Sequence, residues 1–90
     1  MTRVIRELEK QMKALANKRR LAIVAYLKKA REASVGDIAG EIRLSFKATS
    51  KHLGVLYAAG IVEKEQRSAE VFYRLAETLH PATKSVAGLL

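Results

Sequence analysis

The sequence contains no cysteine and only one proline, and acidic residues are scarce. Without cysteine, disulfides, thiol redox chemistry and cysteine-ligated zinc are all excluded. Nine aspartates and glutamates face 17 lysines and arginines, which leaves a net charge of +8 over the 90 residues. This imbalance favours a polyanionic partner, with nucleic acid first and an anionic membrane surface second.

Long apolar runs are also missing, because no stretch approaches the roughly 20 residues that a membrane-spanning helix requires. The opening segment MTRVIRE carries a glutamate and lacks the apolar core of a secretory signal. We therefore expect a cytoplasmic, nucleoid-associated protein with no membrane partner. Hydrophobic residues make up 49% of the chain, which is enough for the core of a single domain over 1–90.

Apolar spacing and capping residues predict three helices in the first half of the chain. Residues 3–16 carry apolar side chains at intervals of three and four, which is the pattern of an amphipathic helix. Asn17 can cap a second helix, because its side chain can accept hydrogen bonds from the free amides of a first turn. The segment 34–37, Ser-Val-Gly-Asp, has the form of a capping box and opens a short third helix.

A fourth helix is predicted after the tight turn Arg43-Leu44. Ser45 is its expected N-cap, 46–59 is its expected extent, and Gly60 stands where a left-handed residue ends a helix. Two short helices joined by such a turn form a helix-turn-helix, in which the second helix is the recognition helix.

The chain then changes to two short runs of strand formers, 61–65 and 71–75. The polar residues 66–70 between them predict a loop longer than two residues, since they lack the Asn-Gly or Gly of a tight turn. Pro81 suits the first position of a last helix within 78–90. The predicted fold is therefore mainly α with a small β-hairpin, a winged helix-turn-helix in the order α-α-α-α-β-β-α.

Four segments in this order resemble the ArsR family of small winged-helix repressors. They are 12–24 (MKALANKRRLAIV), 34–39 (SVGDIA), 44–62 (LSFKATSKHLGVLYAAGIV) and 71–75 (VFYRL), and the similarity covers residues 12–75. The resemblance implies a transcriptional regulator that binds double-stranded DNA as a twofold dimer.

The sequence departs from the family where metals are sensed. Metal-sensing members carry Cys-x-Cys at the start of the third helix, where this chain has Ser34 and Gly36, which cannot supply thiolates. The family's second metal site, in the last helix, is represented only by Glu77 and His80. We therefore expect no metal and no other cofactor. The wing tip holds Ser68-Ala69 in place of the family's usual Gly-Arg, which weakens the case for a wing-tip DNA contact.

A recognition helix over 45–59 would place its first turns against the base edges of the major groove. Lys47 could donate to guanine, and Thr49 or Ser50 could serve either a base or a phosphate. Phe46 could contact a thymine methyl or pack against Ile42, and both alternatives stay open. The candidate DNA-binding residues are Arg43, Ser45, Phe46, Lys47, Thr49, Ser50, Lys51 and His52 on the helix-turn-helix, with Lys64 and Arg67 on the wing.

A second basic cluster, Lys18-Arg19-Arg20, stands at the start of the second helix. It either contacts DNA backbone beside the main site or completes a solvated face. His52 has two open roles as well, packing or contact with a phosphate.

Apolar stripes on the first and last helices exceed what a domain of this size buries by itself. The resemblance implies that these helices pair with their equivalents in a second copy, and the alternative is that both stripes pack on their own core. The candidate dimerisation residues are Ile5, Leu8, Met12, Leu15, Leu79, Val86 and Leu89.

We therefore expect sequence-specific binding of double-stranded DNA as a homodimer that regulates transcription, with repression as the expected direction. A sequence-tolerant architectural DNA-binding protein and a winged-helix protein-interaction module remain alternatives. An enzyme is not expected, because no phosphate-binding glycine loop, carboxylate pair or His-anchored nucleophile is present. The sequence identifies no small-molecule or protein effector.

Overall fold

Five helices and a small sheet make up the fold in the computed structural model, which describes all residues 1–90. The mainly helical class with a β-hairpin is confirmed, and one further strand, β1, joins the predicted elements. None of the helices has the length and apolar character needed to span a membrane. The elements are α1 (Arg3–Leu15), α2 (Lys18–Ala30), β1 (Ala33–Ser34), α3 (Val35–Ile42), α4 (Phe46–Ala58), β2 (Val62–Arg67), β3 (Glu70–Leu75) and α5 (Pro81–Leu89).

The helix boundaries follow from the side chains that satisfy the free amides of each first turn. Asn17 caps α2 through its side-chain oxygen, and Ser45 caps α4 in the same way. Ser34 and Asp37 form the predicted capping box at α3, with each side chain accepting from the other's backbone N–H. Gly60 follows α4 at φ +73°, in the left-handed region that favours glycine. These predictions are confirmed.

The three strands form an antiparallel sheet in the order β1-β3-β2. Its hairpin closes on the pair Arg67 and Glu70, so that only Ser68 and Ala69 form the turn. The prediction of a longer loop is therefore wrong. Ser68 adopts φ 53°, the positive value that a tight hairpin turn needs, although no glycine or asparagine stands there.

The core lies between α2, the helix-turn-helix and the sheet. Burial of its apolar side chains holds α4 against the rest of the chain. Its largest fully buried apolar members are Ile23, Val24, Leu27, Ile38, Leu53, Leu56, Ile61 and Val62.

Helix α1 presents different faces to the core and to solvent. Gln11, Ala14 and Leu15 near its C-terminal end are buried, whereas every residue over 1–10 is exposed. The first half of α1 therefore stands clear of the body of the protein, which extends 41 Å along its longest axis and 24 Å along the next.

Candidate nucleic-acid interface

Helix α4 turns one face to the core and the opposite face to solvent. Successive residues are rotated by roughly 100°, which places Thr49, Leu53 and Leu56 together on the buried face. The opposite face carries two exposed lysines followed by two small residues. Its members are Lys47, Lys51, Gly54 and Ala58.

Thr49 does not belong to the exposed face, and its expected contact with DNA is wrong. It has no exposed surface, and its Oγ1 has no hydrogen-bond partner. The reason is its spacing, since it lies four residues before Leu53 and seven before Leu56 on a 3.6-residue helix. Thr49 is a core residue of the helix-turn-helix.

The start of α4 combines polar backbone, polar side chains and one exposed aromatic ring. Ser45 is exposed while it caps the helix, and Ser50 is half-buried beside it. Phe46 is 62% exposed, so it does not insert into the core. Phe46 borders a narrow gap of about 100 Å³, which is also lined by the start of α3 and by residues 69–71 of the wing, the β2–β3 hairpin. The first residue of α4 therefore faces the wing at the outer surface.

The segment that contains the turn and α4 carries positive charge without any acidic residue. No aspartate or glutamate occurs between Glu41 and Glu63, while Arg43, Lys47 and Lys51 are all exposed. The N-terminal end of a helix adds partial positive charge of its own. The surface is therefore suited to an anion such as a phosphate backbone.

His52 lies on the flank of α4 that faces α2, and not on the exposed face. Its Nδ1 is 3.1 Å from Nη1 of Arg20, and the imidazole is half-buried. Desolvation, followed by the charges of Arg20 and Arg19, lowers the pKa of His52 below its usual 6.5. Of its two expected roles, the geometry shows packing against the basic cluster of α2.

The two candidate cations of the wing have different surroundings. Nζ of Lys64 is exposed and lies 4.4 Å from the centre of the Tyr57 ring, which ties the wing to α4. Arg67 instead binds Glu32 with two hydrogen bonds of 2.7 Å and Glu65 with one of 2.9 Å. These bonds lower the pKa of both carboxyl groups and raise the pKa of Arg67. Arg67 is therefore engaged within the chain.

The candidate dimerisation residues divide into exposed and buried ones. Ile5, Leu8 and Met12 form an exposed apolar face on α1, with 50%, 38% and 58% of their surface accessible, and Leu89 is 85% exposed. Leu15 is buried in the core of its own chain, so its expected place in an interface is wrong. Two further residues, Leu79 and Val86, are half-buried and pack against the same core.

His80 and Ser34, which stand at the two positions considered for metal binding, both cap helices. Nδ1 of His80 accepts a hydrogen bond from the backbone N–H of Ala82 and so caps α5. Ser34 is engaged in its capping box. No group of three or more histidine, cysteine, aspartate or glutamate side chains lies close enough to hold a metal ion.

Helices α3 and α4 followed by the β2–β3 hairpin define a winged helix-turn-helix, a class of fold that contacts DNA through its second helix. The family model described as "bacterial regulatory protein, arsR family" matches residues 17–64. These residues make up more than half of the chain and include the whole helix-turn-helix.

Curated relatives are regulators of transcription. The chain is 40% identical over 67 residues to the transcriptional activator HlyU of Vibrio cholerae, covering 74% of this chain and 61% of that protein. It is 38% identical over 66 residues to the biofilm growth-associated repressor of Agrobacterium fabrum, covering 73% of this chain and 56% of that one. The chain thus spans less than two thirds of the length of these relatives.

Solved structures agree with this similarity. HlyU from Vibrio cholerae superposes with a TM-score of 0.84 at 32% identity, covering 99% of this chain and 92% of that one. The homodimeric winged helix-turn-helix DNA-binding domain of a possible ArsR-family regulator from Mycobacterium bovis gives 0.79 at 30% identity, covering 96% and 73%. The chain belongs to the arsR family of bacterial regulatory proteins.

Proposed function

We propose that the protein binds a specific double-stranded DNA operator as a homodimer and represses transcription from it, with α4 in the major groove. The observation that carries this proposal is the exposed face of α4, where Lys47 and Lys51 lie within a segment, 42–62, that contains no acidic residue. An interaction module would need a mainly apolar face at this place, whereas this surface combines two lysines with the exposed apolar side chains of Phe46 and Val55. Repression is the activity named for the Agrobacterium relative, whereas the Vibrio relative is named as an activator.

Dimerisation is part of the proposal because of the uncovered apolar face on α1. Ile5, Leu8 and Met12 are exposed on a helix whose first half touches little of its own chain. A twofold dimer through this face would cover it and present two copies of α4 to DNA, about one helical turn apart. The homodimeric state of the Mycobacterium bovis domain supports the same arrangement.

Within α4 we propose different roles for the two lysines. Lys47 lies in the first turn and would donate to a base edge, whereas Lys51 lies one turn later and would bind a phosphate. Exposed Phe46 would contact a thymine methyl beside Lys47. Arg43, Ser45 and Ser50 would bind the backbone around them, and Lys64 would extend the contact from the wing.

The test is fluorescence titration of selected operator duplexes and of unrelated duplexes at several salt concentrations. Lys51→Ala should weaken binding to all sequences alike and reduce the salt slope by about one unit. Lys47→Ala should also relax discrimination at one base pair in each half-site, by roughly 1–3 kcal/mol. Lys29→Ala is the matched control, because Lys29 is exposed near the far end of α2.

The proposal fails if both α4 variants remain folded and bind DNA as well as the parent protein does. Equal losses of DNA affinity for Lys29→Ala and Lys51→Ala would indicate that only the overall positive charge drives binding. That result is expected of a sequence-tolerant architectural protein. A parent protein that binds all duplexes with one affinity would support that alternative too.

A further inference from the structure

Gln11 is a polar side chain buried at the junction of three helices. Only 4% of its surface is exposed, yet its amide is satisfied at both ends. Nε2 donates to the backbone carbonyl of Ala59, which ends α4, at 2.7 Å. Oε1 accepts from the hydroxyl of Thr83 on α5, which is fully buried, at 2.5 Å. Through Gln11, helix α1 is bonded to the end of α4 and to α5.

Arg20, which lies on α2, makes a second connection between α1 and α4. Its Nε donates to the carbonyl of Ala14 at 2.5 Å, and Nη2 donates to the carbonyl of Lys13 at 3.2 Å. The third guanidinium contact, from Nη1, reaches Nδ1 of His52 on α4 at 3.1 Å. One side chain therefore joins the last turn of α1 to the middle of α4.

The two connections reach α4 at separate points. His52 and Ala59 are seven residues apart, which is about 10 Å along a helix axis. A helix held at one point can pivot about it, whereas a helix held at two points has a fixed direction. Hydrogen bonds are directional, while the apolar contacts of Leu53 and Leu56 between these points are not. The polar pair therefore adds two directional contacts, at separate points of α4, to the apolar packing between them.

We infer that Gln11 and Arg20 are positioning residues for DNA recognition, which fix the direction of α4 from α1 and so the separation of the two recognition helices in a dimer. This inference rests on the proposed function, since α1 must form the dimer interface and α4 must enter the groove. Neither residue needs to contact a base. Their effect is on which spacing of half-sites the dimer accepts.

The experiment starts with duplexes that the parent protein selects from a randomised library. One base pair is then inserted or deleted at the centre of the selected site, and affinities are measured for the parent, Gln11→Met and Arg20→Met. The readout is the ratio between the affinity for the selected spacing and the affinity for each altered spacing. A uniform loss of affinity, such as the missing charge of Arg20 would cause, cancels in this ratio.

We expect the ratio to fall by roughly two- to tenfold in both variants, because α4 gains freedom to follow a displaced half-site. Ile23→Val, which removes a methyl from the core without touching either connection, should lose stability and keep the parent ratio. All ratios are measured below the unfolding temperature of the least stable variant. Arg20→Lys keeps the charge and a donor group but loses the planar guanidinium that reaches both helices, so it provides a milder change with an intermediate ratio.

The inference is overturned if folded Gln11→Met and Arg20→Met keep the parent ratio, or if Ile23→Val lowers it equally. A parent protein that selects no sequence from the library contradicts the proposed function instead. The two failures are thus distinguished by the first step of the experiment.

Discussion

Nη1 of Arg20 lies 3.1 Å from Nδ1 of His52, and the chemistry of this pair assigns the proton of the imidazole. A guanidinium has only donors, so Nδ1 must be the acceptor and the proton of neutral His52 must lie on Nε2. A second proton would have to enter at Nδ1, where it would face the donor of Arg20. Protonation of His52 and the contact with Arg20 therefore exclude each other.

This exclusion predicts that the free energy of unfolding decreases as the pH is lowered below about 6.5. The pKa of His52 is lowered in the folded protein, so the unfolded chain binds more protons between the two pKa values, and stability rises with pH there. The contribution is complete above the ordinary pKa and is lost as pH falls through the folded value. Melting temperatures between about pH 8 and pH 5 should therefore drop more for the parent than for His52→Gln, which keeps an acceptor but does not titrate. Identical pH profiles for the two proteins would contradict the assignment.

Thr49→Val should stabilise the protein. The hydroxyl of Thr49 is buried without a partner, and valine has the same shape without the polar atom. We expect a gain of about 1 kcal/mol, seen as a rise of roughly 4–8 °C in the melting temperature. Thr49→Ser is the control, because it keeps the hydroxyl and loses the methyl. DNA affinity should be unchanged, and a lower melting temperature for Thr49→Val would show that the hydroxyl does form a bond.

The burial of Thr49 was predictable from the sequence. Its spacing to Leu53 and Leu56 already predicts the buried face, but a polar residue near the start of a recognition helix favoured a DNA contact. Gln11 presents the same difficulty, because nothing in the sequence distinguishes a buried glutamine from an exposed one. Capping residues such as Asn17 were predictable because their partners lie within three residues along the chain.

Features that depend on distant partners were not predictable. Strand β1 has only two residues, too few for any alternation, and it exists because Ala33 and Ser34 pair with β3 some 40 residues later. Ser68 takes a positive φ in the turn because the pairing of the flanking strands leaves only two residues to connect them. Leu15 continues the apolar spacing that predicted an interface on α1, but in the folded chain its side chain is buried in the core.

Gly54→Ala should stabilise the protein and weaken DNA binding. Glycine within a helix is less stable than alanine by roughly 0.5–1 kcal/mol, and open space surrounds the position of the missing Cβ. On the exposed face of α4 that added methyl would stand between the helix and DNA, where it should lower affinity by about fivefold or more. Gly40→Ala is the control, since Gly40 is exposed on α3 and equally open. Equal DNA affinities for the two variants would argue against close approach at Gly54.

Met12→Glu should convert the dimer to monomers in sedimentation experiments at micromolar concentration. A carboxylate in the middle of an apolar interface would have to be buried without a partner. Lys10→Gln is the control, because it changes the net charge by the same one unit and Lys10 lies roughly 160° around α1 from Met12. If the Met12→Glu variant remains dimeric, the interface lies elsewhere on the protein. If the parent protein is monomeric, the proposed dimer does not form.

Strand β2 has one free edge, because the sheet runs β1-β3-β2 and nothing pairs with its outer side. Its side chains include Glu63, Lys64, Glu65 and Arg67, so the unpaired edge is charged along most of its length. Charged side chains on an edge strand oppose its pairing with a strand of another molecule. The wing can therefore lie at the surface of the protein without starting aggregation through its free edge.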